Sequence, residues 1–270
     1  MILAGVIGDP IAQSRSPRLH GHWLARHGIA GAYVPLRVRR DDLAATLDLL
    51  PRLGFAGVNV TAPLKEAAFA AADTLSDRAR AVGAANTLVF RDGRVHADNT
   101  DGYGFVASLG QGAPDRDAAA PALVLGAGGA ARGVVAALLA DGAASVTLAN
   151  RTPARADALA AQMGPRVATM PWDRVAAGLP GHGLLVNTTS LGMTGKPPLD
   201  LDLSRLDART VVADIVYAPL ETPLLAAARA RGNRTVGGIG MLLHQAVPGF
   251  EAWFGVRPQV DDDLRRAVLG

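Results

Sequence analysis

The chain contains no cysteine. That excludes disulfides, thiolate metal sites and a cysteine nucleophile, and it fits a cytoplasmic protein. Lysine is nearly missing too: Lys65 and Lys196 stand alone among 27 basic residues, the rest being arginine. No apolar run is long enough to span a bilayer, so no membrane association is expected. The opening MILAGVIGDP lacks a basic flank and runs straight into Gly-Asp-Pro, which reads as a first strand and not as a signal peptide. Aromatic residues make up only 4% of the chain, and the arginines are scattered without a dense run. The net charge of +3 therefore marks no nucleic-acid surface, whereas a small anionic ligand could use the same excess.

What remains is 270 residues at 49% hydrophobic, enough for two packed domains. Strand and helix signals alternate. Strands are predicted over 2–7, 32–38 and 56–61, and helices over 17–27 (with Ser16 as N-cap), 41–50 and after Pro63. Residues 87–91 and 95–97 flank Asp92-Gly93, a dipeptide favoured in tight hairpin turns. A connecting helix over 102–109 and a loop over 111–121, rich in Gly, Ala, Asp and Pro and expected to mark a boundary, follow. Strands at 122–125, 145–149, 167–170, 184–187 and 211–216 then alternate with helices at 130–139, 154–163 and 222–231. The tail from Met241 is helical in pattern, interrupted at Pro248. Such alternation predicts an α/β protein with parallel sheets covered by helices. Residues 1–102 with 238–270 are expected to form one domain and 103–237 the other.

Residues 122–132 read ALVLGAGGAAR. Gly126-x-Gly128-x-x-Ala131 follows an apolar strand and opens an alanine-rich helix, the context in which small residues let the chain approach a pyrophosphate. Ala127, Gly129 and Ala130 complete the loop, and the helix N-terminus offers free N–H groups to phosphates. A helix entry built from small residues for packing is the competing reading. The next strand ends in Asn150-Arg151-Thr152, with Arg155 one turn on. No carboxylate stands there to bind a ribose 2′-hydroxyl, and guanidinium groups suit a 2′-phosphate. NADP(H) is therefore expected over NAD(H).

Lys65 lies in NVTAPLK. Alternation puts Asn59 and Thr61 on one face of their strand. Lys65 then falls in the first turn of a helix, where the dipole disfavours a cation and so favours an amine able to give and take a proton. Together the three form a polar rim at the C-terminal edge of a strand, where open α/β sheets bind ligands. GAANT (83–87) and DNTDG (98–102) add Asn86, Asn99, Thr100 and Asp101 at strand margins; each alone could be only a turn.

These stretches come together in a resemblance. Gly8-x-Pro10-x-x-x-Ser14-x-Ser16-Pro17-x-x-His20, Asn59-Val60-Thr61-x-Pro63-x-Lys65, Gly83-Ala84-x-Asn86-Thr87, Asn99-Thr100-Asp101-Gly102, the glycine loop, Asn150-Arg151-Thr152, Asn187-Thr188-Thr189-Ser190-x-Gly192-Met193 and Gly238-x-Gly240-Met241-Leu242-x-x-Gln245 resemble the shikimate dehydrogenases. The resemblance implies an α/β substrate domain plus a Rossmann-type NADP domain, and reversible NADPH-dependent reduction of 3-dehydroshikimate. It implies that Ser14 and Ser16 hold the substrate carboxylate and that Thr61, Asn86, Asp101 and Gln245 bond the ring hydroxyls. Tyr217 matches a substrate contact. Lys65 is implied as the acid–base residue, with Asp101 orienting it. Thr188, Ile215 and Gly238 match positions at the nicotinamide end, and Asp77 falls at a further cofactor contact. Gly21 and Leu64 depart from the residues common in the family, without touching the chemistry.

The six histidines are expected to be structural or exposed, with no metal. A homodimer is compatible with the sequence. Two other readings stay open at this point: a quinate or aminoshikimate dehydrogenase of the same build, and a non-catalytic NADP-sensing module with a worn proton site.

Overall fold

Strand β1 (Ile2–Gly8) buries its side chains from Ala4 onward, as the apolar opening of the sequence demands. The computed structural model describes all 270 residues. After β1 the chain forms α1 (Ser16–Arg26), β2 (Gly31–Arg37), α2 (Leu43–Arg52), β3 (Phe55–Val60), α3 (Lys65–Ala71), β4 (Thr74–Leu75), α4 (Asp77–Val82), β5 (Thr87–Arg91) and β6 (Arg94–Asp98). Next come α5 (Asp101–Gly112), β7 (Ala122–Leu125), α6 (Gly129–Asp141), β8 (Val146–Ala149), α7 (Pro153–Met163), β9 (Val167–Met170), β10 (Leu184–Asn187), β11 (Val211–Asp214), α8 (Pro223–Ala230), β12 (Thr235–Val236) and α9 (Gly238–His244). Helices α10 (Ala246–Phe254) and α11 (Asp262–Leu269) end it. The elements divide into two units: Met1–Thr100 with Gln245–Gly270, and Asp101–His244.

The first unit holds a six-stranded mixed sheet in the order β2-β1-β3-β5-β6-β4. β1 runs parallel to β2 and β3, while β5 is antiparallel to both β3 and β6. The β5–β6 turn has Asp92 at φ 52° and Gly93 at φ 69°, the left-handed pair that a two-residue hairpin of matching twist requires. The returning tail completes the core. The His20 ring stacks on Tyr33 with centroids 3.9 Å apart, and Trp23, Phe250 and Trp253 surround it. Burial pushes the His20 pKa down to about 3, so it is a neutral packing residue, with the nearby Asn59 side chain pulling weakly the other way. Trp253 Nε1 donates to the Leu88 carbonyl at 3.0 Å, over Gly57, where a Cβ would run into the indole and that carbonyl.

The second unit holds six parallel strands in the order β9-β8-β7-β10-β11-β12. Numbered within the unit this is 3-2-1-4-5-6, the doubly wound dinucleotide-binding order, with its switch point between β7 and β10. Alternate residues of β7 enter different cores: Val124 packs with Val134, Val146 and Val186, while Leu123 and Leu125 pack with Leu185, Val212 and Leu225. Burial on both faces is why ALVL, LLVN and VVAD read as continuous apolar runs and not as alternating ones.

Four expectations shift. The second crossing between units falls at Gln245 and not at Gly238, because α9 packs on α5: at Gly240 a Cβ would collide with Ser108. Ser16 is the first residue of α1 and Arg15 holds the cap position; the Ser16 N–H is met instead by Ser14 Oγ at 3.3 Å. Pro248 does not interrupt the tail, since it lies in the first turn of α10, where backbone N–H groups have no helical partner to lose. The 111–121 loop is internal to the second unit and marks no boundary.

Candidate active site

In the first unit the ends of β1 and β3 are tied together, since Thr61 N–H donates to the Ile7 carbonyl at 2.9 Å. Gly8 makes this approach available, because a Cβ there would stand 2.5 Å from Thr61 Cγ2. The loop after β1 turns through Ser14, whose N–H bonds the Ile11 carbonyl at 3.0 Å. Ser14 is half-buried and Ser16 buried. Lys65 opens α3, half-buried, and its carbonyl accepts from Ala85 N–H at 2.9 Å.

The next residue, Asn86, is the centre of a buried network. Its Oδ1 accepts from Thr100 N–H at 2.9 Å and from Thr87 Oγ1 at 2.9 Å. Its Nδ2 donates to Gln245 Oε1 at 3.3 Å. Thr100 Oγ1 in turn donates to the Gln245 carbonyl at 2.8 Å. Asn59 is not at the rim that strand alternation predicts. It is buried, accepting from Tyr33 Oη at 2.7 Å and donating to the Asn86 carbonyl and Thr87 Oγ1 at 3.1 Å each. The reason is the antiparallel pairing of β5 with β3, which sets Thr87 opposite Asn59.

Asp98, at the end of β6, accepts from Asn99 N–H at 2.7 Å, Ser76 Oγ at 2.5 Å and Arg78 Nε at 3.1 Å. Burial works to raise its carboxyl, but the bonds from Arg78 and Ser76, the Arg78 charge and the Asn99 N–H outweigh it and hold the pKa below 3.8. Asp101 begins α5 as the first residue after Thr100, half-buried. Its Cα thus stands about 3.8 Å from that of the anchored Thr100.

In the second unit the turn after β7 is shaped for a phosphate. Gly126 has φ +111°, and a Cβ there would lie 2.6 Å from Thr188 Oγ1. That hydroxyl donates to the Leu125 carbonyl at 2.7 Å, so β10's end is fastened against β7's. Gly128 and Gly129 introduce α6, and a Cβ on either would meet nothing within 4 Å. Open space therefore stands before the free N–H groups of a thirteen-residue helix.

At the end of β8, Asn150 Nδ2 folds back to the Thr152 carbonyl at 2.8 Å. Arg151, Thr152 and Arg155 are exposed around the start of α7, and neither guanidinium has an ion-pair partner. Two unpaired cations at a helix N-terminus gain nothing from the fold, because the dipole opposes them; a bound anion would supply the missing charge. The residues present thus fit an NADP-type dinucleotide. Past β11, Ile215 and Val216 pack under Gly238, where a Cβ would collide with the Ile215 carbonyl. Tyr217 is 38% exposed.

Comparison with known proteins agrees with this build. Residues 6–88 match the shikimate dehydrogenase substrate binding domain family, 111–191 the shikimate / quinate 5-dehydrogenase family, and 238–268 the shikimate 5′-dehydrogenase C-terminal domain family. A Paracoccus denitrificans protein named shikimate dehydrogenase (NADP(+)) is 58% identical over 269 residues, covering 99% of this chain and 95% of that one. The chain belongs to the shikimate dehydrogenase family.

Among solved structures, the shikimate 5-dehydrogenase of Thermus thermophilus in complex with NADP(H) and shikimate matches at a TM-score of 0.88 and 36% identity, covering 100% of this chain and 99% of that one. A quinate dehydrogenase from Corynebacterium glutamicum in complex with NAD matches at 0.92 and 33%, over 99% and 98%. The backbone shared across shikimate dehydrogenases is thus also used for quinate, and substrate choice must rest on side chains.

Of the residues singled out in the sequence, the chain places Ser14, Ser16, Thr61, Lys65, Asn86 and Gln245 in its first unit. The glycine loop, Asn150–Arg155, Thr188, Ile215, Tyr217 and Gly238 lie in the second. Asp77 is a further cofactor candidate. It belongs to the first unit, is fully exposed, and pairs with Arg80 at 3.0 Å in the opening turn of α4. Ser76 caps that helix, and an acid beside the cap complements the dipole. Sequence reasoning passed over Asp98 and Asp214. The available signal was a carboxylate as the last residue of a strand, a place that needs donors.

Proposed function

We infer that this chain catalyses the reversible NADPH-dependent reduction of 3-dehydroshikimate to shikimate. The observation that carries the reading is the Asn86–Gln245 contact, which brings residues 159 positions apart to one polar cluster in the unit that also holds Ser14, Thr61 and Lys65. Hydroxyl and amide groups of this kind suit a small polyhydroxylated acid. The relatives' names and the free guanidinium groups of Arg151 and Arg155 supply the cofactor.

NADPH, when bound, supplies the hydride. Ser14 and Ser16, with hydroxyls near the start of α1, bind the substrate carboxylate, aided by the positive end of that helix. Thr61, Asn86 and Gln245 hold the ring hydroxyls, with Tyr217 as a further substrate contact, and fix which carbon is presented. Lys65 hydrogen-bonds the ring carbonyl oxygen and delivers the proton as negative charge develops there. Asp101 orients Lys65 and shares the proton.

A spectrophotometric assay pairing shikimate and quinate with NADP⁺ and NAD⁺ tests the reading. Turnover of shikimate with NADP⁺ above all other pairs is expected. Preference for quinate, or NADP binding without any turnover, would replace it with one of the two other readings.

A further inference from the structure

Asp214 is 2% exposed and ends β11, with no cation beside it. Its charge is met entirely by neutral donors. Oδ1 accepts from Asn187 Nδ2 and from Val216 N–H, each at 3.0 Å, and Oδ2 accepts from Thr222 Oγ1 at 2.7 Å. A buried carboxylate held this way is costly unless every donor is in place, so the arrangement is exacting.

Each donor belongs to a segment that leaves the C-terminal edge of the parallel sheet. Asn187 ends β10, in register with Asp214, and its Oδ1 holds the Thr189 N–H at 3.0 Å and hydroxyl at 2.7 Å. Its Nδ2 also reaches the Leu191 carbonyl at 3.2 Å. Val216 lies between Ile215 and Tyr217. Thr222 caps α8, accepting from Leu225 N–H at 3.4 Å. One carboxylate therefore sets the course of the loop carrying Thr188, of the Ile215–Tyr217 segment and of the helix that follows.

We propose that Asp214 is a positioning residue for the dinucleotide's reactive end, holding the loops after β10 and β11 in the shape that Thr188, Ile215 and Gly238 need to receive it. Gly238 shows how little slack exists, since even a methyl group there would strike the Ile215 carbonyl. Burial pushes the Asp214 carboxyl above its usual range, against the bonds from Val216, Thr222 and Asn187, which marks it as a group kept for its geometry.

The inference rests on the dinucleotide reading above, and the test separates the two. NADP⁺ and shikimate KM, kcat and Tm are measured for wild type, Asp214→Ala, Asp214→Asn and Thr222→Val. If the wild type neither binds NADP⁺ nor turns over, the functional reading falls. If it does, Asp214→Ala is expected to raise the NADP⁺ KM about tenfold and lower kcat, because three buried donors lose their acceptor, while the shikimate KM stays within about twofold. Asp214→Asn keeps an oxygen for Asn187 and Val216 and can donate to Thr222, so it should recover most of the loss. Thr222→Val, which removes one donor at nearly constant shape, should raise the NADP⁺ KM several-fold even if Asp214→Ala does not fold. Unchanged NADP⁺ constants in the variants that fold overturn the proposal. So do losses that track Tm alone with no rescue by asparagine.

Discussion

The Thr100 hydroxyl donates to the Gln245 backbone carbonyl at 2.8 Å, joining two residues 145 positions apart at which the chain leaves and re-enters its first unit. Both also touch the Asn86 side chain. Thr100→Val keeps the shape and removes the hydroxyl that donates to that half-buried carbonyl. A loss of about 1–3 kcal/mol in urea unfolding is expected, with shikimate KM raised more than NADP⁺ KM. Equal effects on both constants would count against a local role.

Lys65→Ala should lower kcat by about 10²–10⁴ while shikimate binding changes less, the signature of a group that acts on the developing oxyanion. Steady-state kinetics with saturating NADP⁺ decide it. Activity near wild type would remove Lys65 from the chemistry.

Arg151 and Arg155 have no ionic partner in the fold, so removing them should not unfold it. Arg151→Ala is expected to raise the NADP⁺ KM by about 1.5–3 kcal/mol, or roughly 10- to 150-fold, with the NAD⁺ KM little altered. A parallel loss toward both dinucleotides would show that the contact is not with the 2′-phosphate.

Gly126→Ala puts a methyl group at φ +111° and against Thr188 Oγ1. The strain should cost about 1–3 kcal/mol of stability. It should also displace Thr188, so that NADP⁺ affinity falls more than the drop in Tm alone explains. Isothermal titration alongside thermal unfolding checks both.

Asp98 titrates lower in the folded chain than its unfolded value of 3.8. Folding therefore favours the ionised form: that stability is present above the unfolded value and is lost as pH falls through the folded one. A Tm–pH series should show an acid limb that Asp98→Asn flattens.

The glycine loop was legible because strand, small-residue turn and helix are contiguous, so local order carries the whole signal. The free arginines at α7 were legible for the same reason. Asn59 was not, since its burial depends on β5 arriving antiparallel from 28 positions away, through Thr87. The two-residue strands β4 and β12 exist only through their neighbours and leave no pattern of their own. Helix α11 did leave one. Asp261 caps it by accepting from Leu264 N–H at 3.0 Å, and a run of acids before an amphipathic stretch is a helix-start signal that could have been used.

The order in which the polypeptide emerges from a ribosome follows from the split first unit. Residues 101–244 are contiguous and can fold as soon as they clear the exit tunnel. The earlier hundred cannot finish until the second unit has been made, because Phe250 and Trp253, which close over His20, Trp23 and Tyr33, lie beyond it. Until then that aromatic nest lacks two of its five members, so the nascent protein must shield a sticky surface until α10 is translated.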